Sequence, residues 1–528
     1  MGRYRLGLLF NTIKYLKVKQ IYYQFYYRLR NRFFKKSYNA EFLCVESVLY
    51  ENVLYNKTSY LTNSCFSFLN INHCFNSGID WNHTEYGKLW TYNLNYFDFL
   101  NQENITSKEG KFLIYDYIKK ANERIDGKEP YTISLRGINW IKFISKRKIN
   151  EEAINRFLYN DYQRLLDNLE YHLLGNHLLE NGFSLLFGSF YFRDEKLYSN
   201  AKRIIQKELK EQILEDGGHY ELSPMYHQII LFRILECYNL IISNKWKDEL
   251  EQLLKDTALR MLEWLQSITF DNGEIPYVND SAFGIAPPSK ELIAYAKRLG
   301  LNAHKGVLSE SGYRKFEFNG FELLMDVGHI SPSYQPGHSH ADSLSFILHV
   351  NKTPIFIDTG VSTYENNTRR AYERSTRAHN TVTVQGKDSS DVWGAFRVGK
   401  RANVNILKDE KKIIKAIHDG YNNIGCSHER SWMIDDNDSL VIEDRIGSST
   451  GVFNLIISPS INKILLNDKS VFIDGVILEF EGYLSSIQME EIGVSNEFNI
   501  VENTRKILVE FYDSLNTRIR YLNKQDTL

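Results

Sequence analysis

The 528-residue sequence has no apolar run that approaches the roughly 18 residues needed to span a bilayer. We expect no secretory signal peptide either, because the first apolar run, Leu6 to Phe10, is short and is followed by Asn11 and Lys14. Five cysteines without a CxxC pair predict reduced thiols rather than a disulfide framework. These absences predict a cytoplasmic protein that does not cross a membrane.

The sequence also has no excess of positive or negative charge. The net charge is −1, from 64 basic and 65 acidic residues, so no overall field attracts nucleic acid or another polyanion. We therefore expect no nucleic-acid partner. Affinity for an anionic substrate has to come from a local group of residues.

Hydrophobic periodicity changes once along the chain, near residue 305. From residue 90 to 299, apolar residues recur every three or four positions over lengths typical of helices. The clearest such segments are Glu151–Leu174, Leu197–Leu214, Tyr226–Ile242 and Lys247–Ile268. After residue 304 the period is two, with frequent turns, which is typical of an antiparallel β-sandwich. The sequence thus predicts an irregular linker with one or two strands over 41–85, a helical domain over 86–304 and a β-domain over 305–528.

The first 40 residues form a separate basic segment. Residues 1–40 contain ten Lys or Arg and no Asp or Glu, with eleven Tyr or Phe among them. This composition predicts a helix that lies on an anionic membrane surface. A basic helix docked on the helical domain has the same composition, so both interpretations stay open.

Histidines and carboxylates gather at three places in the β-domain. Even positions from Leu344 to Val350 are apolar, which predicts a strand, and counting back by twos places Asp342, His340 and His338 on one face. Asp358 follows a second predicted strand and His379 precedes a third. Imidazole and carboxylate are zinc ligands, so we predict a structural Zn²⁺ site made by His340, Asp358 and His379. Hydrogen-bonded core histidines are the alternative.

These motifs carry a family resemblance. The runs His338 to Asp342, Asp358 to Gly360 and Arg377 to Thr381 resemble those of the heparinase II/III-like polysaccharide lyases, and the resemblance spans roughly residues 85 to 450. It implies an N-terminal α/α toroid, an incomplete helical barrel, followed by a C-terminal antiparallel β-sandwich. It also implies β-elimination on an acidic, uronate-containing polysaccharide.

The resemblance places catalytic residues in both domains. It assigns Asn176 and His177 to neutralising the substrate carboxylate, and Tyr226 with His338 to proton transfer, without deciding which of the two is the base. Ser223 and Pro224 predict a helix start that puts the Tyr226 hydroxyl near a positive helix end, where ionisation to phenolate would be easier.

Basic and acidic residues nearby supply further candidates. Arg369, Arg370, Arg374 and Arg377 predict an anion-binding loop for carboxylate or sulfate groups. A solvated loop is the alternative. Asp280 is a weaker candidate, expected to secure the domain interface.

Two other functions stay open beside the lyase. A uronyl C5-epimerase removes the same proton with nearly the same groups. A non-catalytic glycan-binding factor of surface-polysaccharide assembly would not need export, and the same location suits a lyase that acts within surface-polysaccharide biosynthesis. For all three, the basic segment predicts peripheral contact with the inner membrane.

Overall fold

The computed structural model describes residues 2–34, 36–50 and 54–522. Met1, Lys35 and residues 523–528, which belong to the segments predicted as 1–40 and 305–528, lie outside the described residues, as do residues 51–53 of the predicted linker.

Helices dominate the described chain as far as residue 298. They are α1 Gly2–Ile13, α2 Val18–Phe33, α3 Lys88–Tyr96, α4 Ser107–Lys119, α5 Pro130–Lys146, α6 Glu152–Asp167, α7 Gly175–Phe192, α8 Glu195–Gln212, α9 Pro224–Ser243, α10 Glu251–Ile268, α11 Ser289–Arg298 and α12 Thr368–Glu373.

Strands follow, after a short group near residue 60. They are β1 Tyr60–Thr62, β2 Cys65–Phe68, β3 Ile71–Cys74, β4 Tyr313–Phe318, β5 Phe321–Asp326, β6 Phe346–Val350, β7 Thr353–Phe356, β8 Val382–Val384, β9 Val392–Trp393, β10 Arg397–Val398, β11 Val404–Glu410, β12 Ile413–His418, β13 His428–Ile434, β14 Leu440–Ile456, β15 Ile464–Leu466, β16 Ser470–Ile473, β17 Val476–Val494 and β18 Glu502–Tyr521.

The helices from α3 to α11 form the predicted toroid around one hydrophobic core. Helix α7 lies at its centre and is buried at every position except His177. A helix that is apolar on all sides belongs in the core of a domain, so its one partly exposed polar residue marks where the core meets the cleft. Ser223 caps α9, its hydroxyl accepting a hydrogen bond from the Tyr226 amide at 3.3 Å, with Pro224 at the first helical position as predicted.

The second domain is a β-sandwich, as predicted. One sheet has the order β4-β5-β6-β7, and the other has the order β11-β12-β13-β14-β18-β17-β16-β15, with β8 added against β14. Apolar side chains from both sheets, such as Leu323 and Phe346 opposite Phe453 and Phe511, fill one core. Pairing within both sheets is antiparallel.

One prediction for the segment before α3 is wrong. Within the predicted linker, which the sequence expects to contain one or two strands, β1, β2 and β3 form an antiparallel sheet. Cys65 and Cys74 are not reduced thiols but form a disulfide. They face each other across the β2–β3 pair, and a spacing of nine residues along the sequence gives no sign of that register.

The two N-terminal helices dock on the rest of the molecule. In α2, Gln20 and Tyr27 donate side-chain hydrogen bonds to the Leu173 and Leu169 carbonyls, at 3.1 and 2.7 Å. In α1, the Thr12 hydroxyl donates to the Val398 carbonyl at 3.3 Å, beside the β9–β10 hairpin. Among the described helices, none combines the length and the apolar character required to cross a bilayer.

Near Asp358, at the end of the sandwich, the backbone at Gly360 closely approaches the backbone at Ser495. Its φ is +65°, and a Cβ there would lie 1.8 Å from the Ser495 carbonyl oxygen. Gly386 has nearly the same φ, +66°, but a Cβ added there would have no atom within 4 Å. We expect Gly360→Ala to lower the melting temperature of the β-domain much more than Gly386→Ala, which carries only the left-handed strain of about 1–2 kcal/mol. Equal shifts in thermal unfolding would contradict the close approach.

Candidate active site

Helix α7 begins at the cleft between the domains. Leu174 and Gly175 have positive φ values of 64° and 62°, which turn the chain sharply so that Asn176 and His177 occupy the first helical turn. Positive helix ends attract anions. The Asn176 side-chain oxygen is buried and has no hydrogen-bond partner within the described chain.

His177 carries a partner of its own. Its Nδ1 lies 3.0 Å from Glu170 Oε1. Burial opposes protonation of the ring, but the charge and hydrogen bond of Glu170 outweigh it and raise the pKa of His177. The ring also packs 4.6 Å from that of Tyr131, centroid to centroid.

The polar residues farther along α7 serve the core instead. Glu180 lies 2.9 Å from the Arg233 guanidinium, and burial raises its pKa to about 7. The Asn181 side-chain amide donates to Ser134 and Glu170. The first helical turn of α7 therefore faces the cleft, and the following turn ties helices together.

Tyr226 lies in the first turn of α9, and its ring stacks on that of His338 at 3.9 Å between centroids. The expected easing of ionisation is wrong: burial, followed by the neighbouring Tyr364 hydroxyl at 3.2 Å, raises the pKa of Tyr226 well above its usual value. Desolvation of a phenolate outweighs the helix end because the low-dielectric surroundings penalise the charged form.

His338 and His340 do not lie on a strand, contrary to the prediction from alternation. Leu344 has a φ of +59°, which ends the extended pattern, and β6 begins only at Phe346. Residues 337–345 form a loop instead. The two histidines still converge, because both bind the same carboxylate, that of Asp280: His338 Nδ1 and His340 Nε2 each lie 2.9 Å from one of its oxygens.

Asp280 is fully buried at the junction of the two domains. Arg370 binds both of its oxygens, at 2.5 and 2.7 Å. Burial opposes ionisation, but the Arg370 charge and the hydrogen bonds from both histidines outweigh it and hold the pKa of Asp280 well below its usual range. Sequence reasoning ranked this residue low, although a polar Asn-Asp-Ser run beside the apolar Val278 was a usable signal.

The prediction that this loop binds anions is wrong for the buried arginines, Arg370 and Arg374. Arg370 is committed to Asp280, and Arg374 donates to the Ser339 and Gly394 carbonyls. Arg369 pairs with Glu373 and donates to the Gly493 carbonyl. Arg377 is exposed. Clustering along the sequence did not show that these side chains point to different partners.

Glu221 connects the helical and β-domain halves of the site and was missed by sequence reasoning. Its Oε1 accepts the Asn176 backbone amide at 3.3 Å, and its Oε2 lies 3.8 Å from His338 Nε2. Burial raises the pKa of Glu221. The aromatic residues Tyr364 and Phe396, with ring centroids 6.0 and 6.2 Å from that of His338, were also missed, because Tyr and Phe fill cores throughout this chain.

The predicted metal ligands lie together. Ligand atoms of His340, Asp358 and His379 are all within 4.8 Å of one another, and all three residues are buried. His340 Nδ1 and His379 Nε2 are buried nitrogens without a hydrogen-bond partner among the described residues. The other nitrogen of the His340 ring, Nε2, binds the Asp280 carboxylate, which is outside the ligand set, whereas His379 Nδ1 lies 2.6 Å from its fellow ligand Asp358. His340 therefore has the arrangement of a metal-binding imidazole whose second nitrogen is held by a carboxylate.

Electrostatics around this cluster also suit a cation. Burial lowers the pKa of His340 to about 4, so the ring is neutral and able to ligate. Burial and the neighbouring Asp342 raise the pKa of Asp326 well above its usual value. Buried carboxylates that repel one another beside unpartnered imidazole nitrogens fit Zn²⁺.

The sequence was compared with protein families and with known proteins. Residues 131–292 match the heparinase II/III N-terminus model and residues 302–508 match the heparinase II/III-like, C-terminal model. A heparin-sulfate lyase of Bacteroides stercoris is 24% identical over 345 residues, covering 59% of this chain and 50% of that protein. A heparin-sulfate lyase of Pedobacter heparinus is 25% identical over 398 residues, covering 70% and 57%. The chain thus spans about half the length of these relatives.

Solved structures agree on the fold. A crystal structure of heparinase III superposes with a TM-score of 0.66 at 16% identity, covering 86% of this chain and 81% of that one. The two family models together span more than two thirds of the sequence and meet at the domain boundary. The chain belongs to the heparinase II/III-like family.

Proposed function

We propose that the chain is a polysaccharide lyase that cleaves a uronate-containing glycan by β-elimination. One observation carries the proposal: the stacked Tyr226–His338 pair lies beside Glu221, which in turn holds the start of α7 with Asn176 and His177. Proton-transfer groups from two domains and a carboxylate-binding helix end therefore share one cleft.

The substrate carboxylate binds at the start of α7. The Asn176 amide and the His177 imidazole donate to it, with help from the positive helix end. Neutralising this group makes the C5 proton acidic, because the negative charge that develops when the proton leaves spreads onto the carboxylate. The raised pKa of His177 keeps its ring available as a donor near neutral pH.

His338 acts as the base and Tyr226 as the acid. Ionised Asp280 can only accept, so His338 donates from Nδ1 and keeps a lone pair on Nε2. Nε2 takes the C5 proton, the electrons of the C5–H bond form the C4=C5 double bond, and the C4–O bond breaks. Tyr226, whose raised pKa keeps the phenol protonated, gives its proton to the leaving oxygen.

A zinc ion would be held by His340, Asp358 and His379. When bound it supplies structural support, because all three ligands are buried and the loop that carries His340 also carries His338.

The substrate class follows from what the cleft offers. The matched relatives are named heparin-sulfate lyases, but here Arg370 and Arg374 are committed to Asp280 and to backbone carbonyls. Sulfate recognition favours free guanidinium groups. We therefore propose a uronate glycan of low sulfate content, acted on within surface-polysaccharide biosynthesis.

Two alternatives give different products. A C5-epimerase would return the proton to the opposite face of C5, and an assembly factor would bind without reaction. The stacking of Tyr226 on His338 favours the lyase, because an epimerase needs its proton donor on the face of C5 opposite its base.

An assay on a panel of uronate polymers separates these functions. We expect ultraviolet absorbance from the unsaturated product, stronger with unsulfated than with heavily sulfated polymers. Exchange of the C5 proton with solvent deuterium without absorbance would indicate an epimerase, and neither signal with any polymer would contradict catalysis.

Tyr226→Phe tests the acid. Removing the hydroxyl should lower turnover by at least ~10²-fold with little change in KM, as expected when general acid catalysis is lost. Tyr238→Phe, on the same helix, is the matched control and should turn over as wild type does. A Tyr226→Phe enzyme with near wild-type turnover would reduce Tyr226 to a packing role.

His340→Ala tests the zinc site. The variant should contain about one zinc ion fewer per chain than wild type and melt at a lower temperature, because the free energy of metal binding stabilises the fold. Elemental analysis of both proteins measures this, with exposed His304→Ala as the control. Equal zinc contents in wild type and His340→Ala would contradict the proposed zinc site.

We also propose that the N-terminal helices hold the protein on an anionic membrane. While α1 and α2 dock through one side, their other side exposes apolar residues at helical spacing: Leu6, Leu9, Phe10 and Ile13 on α1, and Val18, Ile21, Tyr22, Phe25, Tyr26, Leu29 and Phe33 on α2. Exposed Lys14, Arg28 and Arg32 lie among them. Each basic group near an anionic leaflet contributes roughly 1 kcal/mol.

The side of the membrane is a separate question. The sequence prediction of a cytoplasmic location stays a prediction, and the Cys65–Cys74 disulfide weighs against it, because disulfides persist mainly in oxidising compartments.

Vesicle sedimentation tests the membrane surface. We expect full-length protein to bind phosphatidylcholine vesicles containing phosphatidylserine, to be released by high salt, and to lose binding in Phe25→Ser/Leu29→Ser. Val307→Ser/Tyr483→Ser removes equally exposed apolar groups elsewhere and should bind normally. Vesicle binding that persists in Phe25→Ser/Leu29→Ser would contradict this proposal. A change of oligomeric state as the only effect of these substitutions would also contradict it.

A further inference from the structure

A second histidine cluster lies far along the sequence from the active-site residues, where β3 meets the segment before α3. His73 belongs to β3, and His83 and Glu85 lie in the loop that leads to α3. One ligand atom from each of these residues lies within 4.8 Å of the other two. We propose that His73, His83 and Glu85 bind a second Zn²⁺ ion, independently of the proposed lyase activity.

The two imidazoles lie close to each other. Their rings stack with centroids 4.2 Å apart and planes 24° apart. His83 Nε2 is a buried nitrogen that lacks a hydrogen-bond partner anywhere in the described ranges, and the nearest carboxylate oxygen, Glu85 Oε2, is 3.8 Å away. An unpaired buried acceptor is costly, and a metal ion would satisfy it.

Neighbouring residues hold the first histidine in place. The Tyr86 hydroxyl lies 3.2 Å from His73 Nδ1, which is the kind of outer contact that orients a ligating ring. Cys74 is the next residue, but its sulfur is bonded to Cys65 and is not a ligand. The donor set is therefore two imidazoles and one carboxylate.

This donor set selects the metal class. Two histidines and one glutamate leave a fourth position for water, which is a known zinc arrangement, whereas Mg²⁺ and Ca²⁺ prefer oxygen ligands. Ligand atoms in tetrahedral zinc sites lie about 3.4 Å apart, and the exposed Glu85 side chain is free to close the gap.

A metal ion here would join two parts of the structure. The His73 end belongs to the small sheet β1–β3, and the His83 end belongs to the loop whose carbonyl at residue 83 accepts a hydrogen bond from the Thr91 hydroxyl of α3. Zinc would therefore fasten the small sheet to the toroid. We expect the metal ion to stabilise this region.

Zinc counting in a background without the first site isolates the second one. His340→Ala protein, stripped with chelator and dialysed against Zn²⁺, should retain about one zinc per chain, and adding His83→Gln should abolish it. Calorimetric titration with Zn²⁺ should show Glu85→Gln at least about tenfold weaker. Glu85 is exposed, so we expect Glu85→Gln to fold. The test therefore remains valid if His83→Gln unfolds.

The control and the contrary outcome are equally direct. His304→Gln removes an exposed histidine outside the cluster and should bind zinc as its parent does. Zinc content and affinity unchanged by both His83→Gln and Glu85→Gln would overturn the proposal. Failure of the first zinc site would look different: His340→Ala would then lose no zinc, while His83→Gln still would.

Discussion

The carboxylate of Asp280 is the interaction on which the rest of the site depends. It comes from the end of the helical domain and binds three groups from the β-domain: Arg370, His338 and His340. Removing one partner of a buried ion pair costs about 3–5 kcal/mol. Because the pKa of Asp280 is depressed, its contribution to stability is present above about pH 3.9, the unfolded value, and is lost as the pH falls through the folded pKa.

In the proposed mechanism, catalysis requires both domains to be docked. The helical domain supplies Asn176, His177 and Tyr226, and the β-domain supplies His338, so neither half holds both a carboxylate-binding end and a proton-transfer pair. Asp280 sets the His338 tautomer on one side and holds the imidazole of a proposed metal ligand, His340, on the other. A single buried carboxylate thus connects the expected zinc site to the expected base.

Much of the architecture could be predicted from the sequence, since periodicities of 3.6 and 2 report which faces are buried. The Ser223 cap and the segments of α6, α8, α9 and α10 follow from such local signals. Long-range partners do not: the Cys65–Cys74 bond and the commitment of Arg370 depend on register and docking that local patterns cannot carry. The prediction of a strand over residues 337–345 is wrong for a related reason. One residue with a left-handed backbone, Leu344, ends an alternation of apolar residues that otherwise indicates a strand.

The central claim is that ionised Asp280 orients His338, and turnover of Asp280→Asn on a cleaved uronate polymer tests it most directly. Asn keeps the size of the side chain but can no longer act as a pure acceptor for the His338 and His340 rings. The account predicts a fall in kcat of about 10²-fold or more in protein shown to be folded by its melting curve, because the base would lose its tautomer. Folded Asp280→Asn that turns over at the wild-type rate would contradict it.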